Sequence, residues 1–272
     1  MATVLIQPKR LNFDNYIKVV QENEFGYEIL ELAKPEVMND TFLYLKVENF
    51  YKEALSEFNG KITFHGAFID LRVDSPDRLI QIASEKRVRR SIESAIKLNS
   101  RRVIFHSGYN PIIKNQYYKN NFVEKSIEFW TKMIDEYDVE IALENMWDES
   151  PKVLEKIMSS IPNNRLSVCF DIGHFNVFSK VSLGNWIKTL ASYIKQLHFN
   201  DNLGNFDSHL RLGSGTIDWN NASEYFEVFT READVTIEIP DIDDLKDSIS
   251  YIKKDQIYPY NKSKYFSIDK VF

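Results

Sequence analysis

The 272-residue sequence predicts a single (β/α)8 TIM barrel that spans residues 1–272. Short runs rich in β-branched and aromatic residues alternate eight times with longer segments of helical periodicity. This alternation is typical of βαβ units around a parallel sheet. Several short runs, among them VIFH at 103–106 and LSVCF at 166–170, are almost continuously apolar, as strands buried on both faces are. The length fits one barrel, since such barrels take about 250 residues.

The predicted strands and helices follow one another regularly along the chain. In order, the strands are residues 3–7, 27–32, 61–68, 102–106, 140–144, 167–171, 196–200 and 235–239. Between them, apolar residues recur every three or four positions, which predicts amphipathic helices. The clearest apolar stripes are Leu79, Ile82, Val88, Ile92, Ala95 and Ile96 in one helix and Phe122, Ile127, Trp130, Met133 and Ile134 in another. Asp77, Asp218 and Asp241 mark helix starts. An irregular tail from about residue 256 is expected against the outside of the barrel or in a dimer contact.

Composition and charge narrow the class of protein. The chain is 43% hydrophobic and 27% charged, which is ordinary for a globular protein with a sizeable core. A net charge of −6 argues against broad binding to nucleic acid or acidic membranes, although a local basic groove stays compatible with it. No signal peptide and no membrane span are evident, and the single cysteine, Cys169, cannot form an internal disulfide. We therefore expect a cytoplasmic protein.

Polar residues fall where the predicted strands end. The carboxyl ends of barrel strands share one mouth, where binding and reacting side chains collect. In chain order, the residues at these ends or in the loops that follow are His65, His106, Glu144, Asp171, His174, His198, Asp207, His209 and Glu238. They include all five histidines of the protein.

These nine side chains predict a metal centre. A lone histidine or aspartate at a strand end is more often a structural group, and Asp171 is placed to cap a helix. However, Glu144, Asp171 and Glu238 follow apolar runs, where a charge without a partner is costly. No lysine or arginine lies in these motifs to compensate them, so a divalent cation is expected. Nine nitrogen and oxygen donors exceed the needs of one zinc and suit two or three metals bridged by carboxylates.

The order of these motifs resembles the xylose-isomerase-like barrels, and within them the endonuclease IV family of apurinic/apyrimidinic endonucleases. The similar segments run from strand three to strand eight and comprise His65, His106, ALEN at 142–145, DIGH at 171–174, LHFND at 197–201, DSH at 207–209, Gly213, Gly215 and IEIP at 237–240. The resemblance implies up to three zinc ions held by the nine side chains, with Glu144 as the bridging ligand.

The sequence also departs from that family. Strand one ends IQPKR, where endonuclease IV has a His-x-Ser segment, and LELAKPEVMND stands where its DNA-reading loop follows strand two. Ser208 replaces the arginine of its Asp-Arg-His segment. Together with the acidic balance, these differences argue against damaged DNA as the substrate.

A second branch of the same superfamily, the sugar and sugar-phosphate isomerases and epimerases, resembles the chain through fewer residues. In that branch Glu144, Asp171, His198 and Glu238 would hold one Mn, Co or Mg. The two glutamates would then act as paired acid and base. Arg211, in the stretch HLRLGSGTIDW, would meet a substrate oxygen or phosphate.

Three hypotheses remain at this point. A phosphoesterase is slightly favoured, because the four further ligands, His65, His106, Asp207 and His209, need a reason. An isomerase or epimerase with one metal is nearly level with it, and a non-catalytic binding barrel comes third. We expect a small phosphorylated or sugar-like substrate, with nucleic acid as a less favoured alternative and with Tyr109 and Trp147 as candidates to stack on the ligand. The sequence leaves the oligomeric state open.

Overall fold

Eight parallel strands close into a barrel in the order of the sequence. The computed structural model describes residues 2–230 and 232–261, and within them each strand pairs with its neighbours in the chain while β1 closes the ring on β8. The strands are β1 Val4–Ile6, β2 Gly26–Ile29, β3 Ile62–His65, β4 Arg102–His106, β5 Glu140–Glu144, β6 Leu166–Asp171, β7 Ile194–Phe199 and β8 Asp234–Ile237. The predicted (β/α)8 barrel is confirmed.

Helices cover the outside of the barrel. They are α1 Phe13–Asn23, α2 Pro35–Asn39, α3 Thr41–Ala54, α4 Arg78–Lys97, α5 Gln116–Glu136, α6 Lys152–Ser160, α7 Ile172–Phe178, α8 Leu183–Leu190, α9 Trp219–Phe229 and α10 Ile242–Lys254, with a 3-10 turn at Glu31–Ala33. The predicted starts are confirmed at three of them, because Asp77, Asp218 and Asp241 each accept backbone N–H groups of the following helix. No helix of the described residues is long and apolar enough to cross a membrane.

The pleat of each strand separates two environments. Successive side chains point to opposite faces, so in β4 Val103 and Phe105 pack into the layer between sheet and helices. Ile104 points into the barrel and meets Ala142 and Cys169 there. The barrel interior is apolar at the level of these three residues and polar towards both ends of the strands. The residue that ends a strand on the inward face, such as His106 in β4, therefore arrives at the mouth.

Helix α4 differs in one respect from its predicted apolar stripe. Leu79 is 76% exposed and Ile96 is 44% exposed, whereas three serines share the buried face with Val88 and Ile92. Two of the serines support the loop between β3 and α4: Ser91 Oγ accepts from the N–H of Ala67, and Ser84 Oγ accepts from the N–H of Arg72. Serine is preferred there because a loop lies against the helix and its backbone donors need acceptors.

Residues 257 and 258, at the start of the predicted tail, pack on the barrel. Ile257 and Tyr258 are buried, and the Tyr258 hydroxyl lies 2.9 Å from the carbonyl oxygens of Thr230 and Ala233, near the start of β8. The remainder of the tail, residues 262–272, lies outside the described residues.

A buried ion-pair network closes the end of the barrel opposite the mouth. Arg102, the first residue of β4, donates to the carboxylates of Glu140 at 2.8 Å and Asp234 at 3.2 Å, and to Gln196 Oε1 at 2.8 Å. Lys61 adds a second positive charge 2.6 Å from Asp234. Because four strands are joined by this network, it stabilises closure of the barrel.

We expect Arg102→Ala to lower the free energy of unfolding by about 3–5 kcal/mol, because it leaves buried acceptors without their partner. Urea denaturation followed by circular dichroism measures the change. The matched control is Arg101→Ala, since the neighbouring Arg101 is exposed, and it should stay within about 0.5 kcal/mol of the original protein. Equal stability of the two variants would contradict a structural role for the network.

Candidate metal centre

The structure brings all nine predicted side chains to the carboxyl end of the barrel. His65, His106, Glu144 and Asp171 are the last residues of β3, β4, β5 and β6. The others are His174 in the first turn of α7, His198 in β7, Asp207 and His209 in the loop after β7, and Glu238 directly after β8. Parallel strands end at the same edge of a barrel, which is why residues up to 173 positions apart meet there.

Five overlapping groups of the described side chains could each hold an ion. Two of them combine His198 with His65 and Glu238 or with Glu144 and Cys169, and the other three together contain all nine predicted residues. In each group the candidate ligand atoms all lie within 4.8 Å of one another. The three groups are His65 with His106 and Glu144, then Glu144 with Asp171, His198 and Glu238, and finally His174 with Asp207 and His209. Glu144 belongs to two of these three. We call the second of them the central tetrad.

Glu144 lies at the middle of the cluster. Its Oε1 is 3.2 Å from Nδ1 of His198, and its Oε2 is 3.4 Å from Nε2 of His65 and 3.6 Å from Nε2 of His106. Burial alone would raise the pKa of this carboxyl, but the charges of His198 and His106 bring the pKa well below its usual range. Within the described residues Oε2 has no hydrogen-bond partner, which is costly for a fully buried oxygen. A cation between Oε2 and the two imidazoles would satisfy it.

Asp171 serves both as a helix cap and as a member of the tetrad. Its Oδ1 accepts from the backbone N–H of His174, and its Oδ2 accepts from Asn200 Nδ2 at 2.9 Å. Gly173 allows this arrangement, because a Cβ atom there would lie 1.8 Å from Asn200 Oδ1. The cap fixes the start of α7 and thereby places His174 beside the cluster. These contacts explain why Asp171 and His174 are three residues apart, with a glycine between them, in the DIGH segment.

Three histidines present the same nitrogen to the cluster. Nδ1 of His65, His174 and His209 lies 2.9–3.0 Å from the backbone carbonyl oxygens of Gly66, Asn145 and Glu238 respectively. Hydrogen bonds of this kind place the proton on Nδ1 and leave Nε2 as a ligand atom.

Nε2 of His174 and of His209 approach Asp207 Oδ2 at 3.2 and 3.3 Å. Like Glu144 Oε2, Asp207 Oδ1 has no hydrogen-bond partner among the described residues.

His198 is oriented the other way, by a buried glutamate of β2. Its Nδ1 lies 3.2 Å from Glu144 and 3.2 Å from Glu238, whereas its Nε2 lies 3.3 Å from Glu28. Glu28 is fully buried and accepts from Thr236 Oγ1 at 2.8 Å, and further donors surround it. Burial would raise the pKa of Glu28, but the charge and hydrogen bond of His198 lower it to about 2. An ionised Glu28 holds the Nε2 proton of His198, so that Nδ1 faces the tetrad.

Glu28 and Gln7 were missed in the sequence. Gln7, just after β1, donates through Nε2 to Glu28 at 3.0 Å and also to Glu238. A glutamate in the middle of the buried run GYEIL was the available signal, since a buried charge needs a partner. That reasoning identified Glu144, Asp171 and Glu238, and it applies equally to Glu28.

The loop after β7 is held by Asp201, which is a structural residue here. Its Oδ2 accepts from the N–H of Gly213 at 2.9 Å and from Trp219 Nε1 at 3.0 Å. Gly213 has a φ of 81°, and a Cβ atom on Gly215 would lie 2.1 Å from Asp201 Oδ1. The two glycines that the sequence singled out are therefore required to bring this loop back over the mouth, with His209 at its base.

A cavity of about 400 Å³ opens above the cluster. Trp147, 43% exposed, and Phe68 line it beside the histidines, and no lysine or arginine of the described residues does. The structure does not bring the other two predicted substrate contacts to this cavity. Tyr109 stacks on Tyr118 and lines a neighbouring cavity, and Arg211 pairs with Asp247 of α10 at 2.7 Å.

The donor set fits divalent metals. All nine side chains offer imidazole nitrogen or carboxylate oxygen, which zinc accepts, and the tetrad of three carboxylates and one imidazole also suits manganese, cobalt or magnesium. Burial alone would lower the pKa of His198, but Cys169 and the carboxylates Glu238, Glu28 and Glu144 raise this pKa well above its usual range.

Comparison with known proteins agrees with the fold. The family model for the xylose isomerase-like TIM barrel matches residues 21–255. The uncharacterized protein MJ1311 of Methanocaldococcus jannaschii is 26% identical over 232 residues, which cover 80% of this chain and 78% of that protein.

Several solved structures share the fold of this chain. A D-tagatose 3-epimerase-like protein is 23% identical with a TM-score of 0.75, covering 93% of this chain and 96% of the other. The TTHB071 protein of Thermus thermophilus, soaked with ZnCl2, is 21% identical with a TM-score of 0.73, covering 92% and 96%. The D-psicose 3-epimerase of Clostridium cellulolyticum with D-tagatose is 18% identical with a TM-score of 0.66, covering 88% and 85%.

We expect Glu28→Gln to weaken metal binding by about 10–100-fold, because an amide is uncharged and replaces one acceptor oxygen with a donor, so that it orients the Nε2 proton of His198 less strongly. Titration of the metal-loaded protein with a competing chelator measures the affinity. Glu48→Gln is the matched control, since Glu48 is also a buried glutamate but lies on α3, bonded to Ser94 and Lys97. If both variants retain metal as the original protein does, Glu28 has no role in orienting His198.

Proposed function

The chain belongs to the xylose isomerase-like TIM barrel family, and from this premise we propose that it is a divalent-metal-dependent isomerase or epimerase of a small sugar or sugar phosphate. One observation carries the proposal. Two buried glutamates, Glu144 and Glu238, approach the same nitrogen of His198 within the central tetrad, each at 3.2 Å. Such a pair can remove a proton from a substrate carbon and return one to it.

The two glutamates differ in their readiness to hold a proton. Burial raises the pKa of Glu238 to about 7 despite the charges of His198 and His209, whereas the pKa of Glu144 lies well below its usual range. Environments that separate the pKa values of two carboxyls assign them different roles. Without a bound metal, Glu144 is therefore the ionised partner and Glu238 is the carboxyl that more readily holds a proton.

The central tetrad and the residues around it position and shield the substrate. Glu144, Asp171, His198 and Glu238 would hold one Mn, Co or Mg ion, which polarises substrate oxygens when bound. Gln7 donates to Glu238 and so orients this carboxyl towards the cavity. Trp147 and Phe68 line the cavity and offer apolar faces to the C–H side of a sugar.

The comparisons support the isomerase over the hydrolase that the sequence slightly favoured. The solved structures that resemble the chain include sugar epimerases, and at these identities their support rests on the shared fold. The altered strand-one end and Ser208 already separate the chain from the DNA-cleaving branch.

Phosphate-ester hydrolysis by a three-zinc centre is the second candidate. The observation that favours it is the arrangement of nine donors in three groups with Glu144 common to two. Two ions that share a carboxylate can clamp a phosphate and activate a water molecule. A one-metal isomerase does not need His65, His106, Asp207 and His209 as ligands.

Variants inside and outside the central tetrad distinguish the isomerase from the hydrolase. For the isomerase we expect Glu238→Gln to lower kcat by about a thousandfold, as loss of an acid–base group does. His65→Ala should change kcat less than about tenfold, since His65 lies outside the tetrad. Solvent deuterium incorporation into a panel of ketoses and ketose phosphates, followed by NMR, measures turnover. Metal content per chain is determined on the same samples.

The opposite pattern would favour the hydrolase. Release of inorganic phosphate by a protein with nearly three zinc ions per chain, abolished together with one of those ions in His65→Ala, would refute the isomerase. Unfolding curves of both variants serve as the control that the barrel is intact.

A further inference from the structure

A second cavity adjoins the metal centre on the side of β1 and β8. It measures about 450 Å³ and shares Gln7, Leu30, His209 and Glu238 with the cavity above the cluster. A molecule that reaches the tetrad can therefore extend past Glu238 into this second space. We call it the basic pocket, because Lys9, Arg10 and Lys34 line it.

The basic pocket carries positive charge that the protein does not neutralise. Its lining includes two carboxylates, and both are engaged: Glu31 pairs with Arg10 at 3.3 Å, and Glu238 belongs to the tetrad. Lys9 and Lys34 form no ion pair within residues 2–230 and 232–261. Two ammonium groups without an ion pair therefore lie beside the acidic cluster.

One further carboxylate, Asp241, lies near Lys9. Its pKa is lowered first by the backbone N–H groups of Asp244 and Asp243 and then by the charge of Lys9. Because Asp241 caps α10 through those two hydrogen bonds, its charge is already stabilised there. Lys34 is half-buried, and Glu31, the carboxylate that lines the same pocket, is paired with Arg10.

The segments that carry the cations are held in place. The loop after β1 is bound to the 3-10 turn, because Glu31 accepts from both the backbone N–H and Nε of Arg10 at 3.2 and 3.3 Å. The buried Tyr51 hydroxyl lies 2.9 Å from Glu31 and 3.2 Å from the carbonyl oxygen of Pro8. The positive charges are therefore presented to the cavity by ordered backbone, which lowers the entropic cost of binding an anion.

We propose that the basic pocket binds the phosphate group of the substrate, so that the chain acts on sugar phosphates in preference to free sugars. This inference rests on the proposed function. A phosphate monoester carries between one and two negative charges at neutral pH, which matches two free ammonium groups, whereas a sugar acid carries one. Arginine and lysine are the usual partners of phosphate, and the Ser208 hydroxyl lines the same pocket.

The kinetic test compares matched pairs of substrates. For a ketose phosphate, we expect Lys9→Ala/Lys34→Ala to lower kcat/KM about a hundredfold, mainly through KM, since two charge-assisted contacts are lost. For the corresponding free ketose, the same double variant should stay within about twofold. Lys114→Ala/Lys119→Ala is the matched control, because it removes the same charge from another cavity of the mouth and should leave both substrates unaffected.

A binding test is independent of turnover. Calorimetric titration of the purified, metal-loaded protein with inorganic phosphate should show affinity that falls at least tenfold in the Lys9/Lys34 variant and is unchanged in the Lys114/Lys119 variant. Equal phosphate binding by all three proteins would overturn the assignment of the pocket.

The outcomes separate this proposal from the proposed function. Isomerisation of free and phosphorylated ketoses with equal kcat/KM would overturn the pocket and leave the function standing. Lysine-dependent phosphate binding without turnover of any ketose would support the pocket and count against the function. Faster turnover of a sugar acid than of its phosphate analogue would overturn phosphate as the group bound.

Discussion

Buried negative charge at the mouth of the barrel is the constraint on which the rest of the structure depends. Four carboxylates, Glu28, Glu144, Asp171 and Glu238, are almost completely removed from water within one small region. Such a region is stable only if positive charge or hydrogen-bond donors surround every oxygen. The histidines, the Asn200 and Gln7 amides and the cap of α7 meet this need for most of the oxygens. Glu144 Oε2 has no hydrogen-bond partner among the described residues, and it lies 3.4 and 3.6 Å from Nε2 of His65 and His106.

The fold and the convergence of the nine side chains follow from the sequence because both depend on short-range patterns. A strand end is recognisable in the sequence, and closure of the barrel then brings all strand ends to one place. Contacts between distant segments are not encoded in this way. Arg211 turns away from the mouth because Asp247, 36 residues later, pairs with it. Glu28 was overlooked because it lies within a strand, one layer below the ends.

The same donors are compatible with more than one chemistry, and this is why the site alone did not decide the function. The central tetrad contains the four ligands of the proposed one-metal isomerase, and His65, His106, His174 and His209 lie where they would extend it to a multinuclear centre. The first two βα units differ most from the endonuclease-like pattern, and they contribute Gln7, Glu28 and the three cations of the basic pocket, whose lining is completed by residues that follow β7 and β8. In the proposed function, the lysines that would select the substrate therefore come from the part of the barrel that supplies none of the nine predicted ligands.

The serines of α4 have a consequence for how molecules enter the mouth. Ser91 and Ser84 hold the backbone at Ala67 and Arg72, the two ends of a segment whose residues Phe68, Ile69 and Asp70 line the cavity above the cluster. Ordering a free loop costs about 1–2 kcal/mol per residue, and here that cost is met during folding. This part of the rim is therefore ordered before a molecule enters, so that less conformational entropy of the loop remains to be lost on binding.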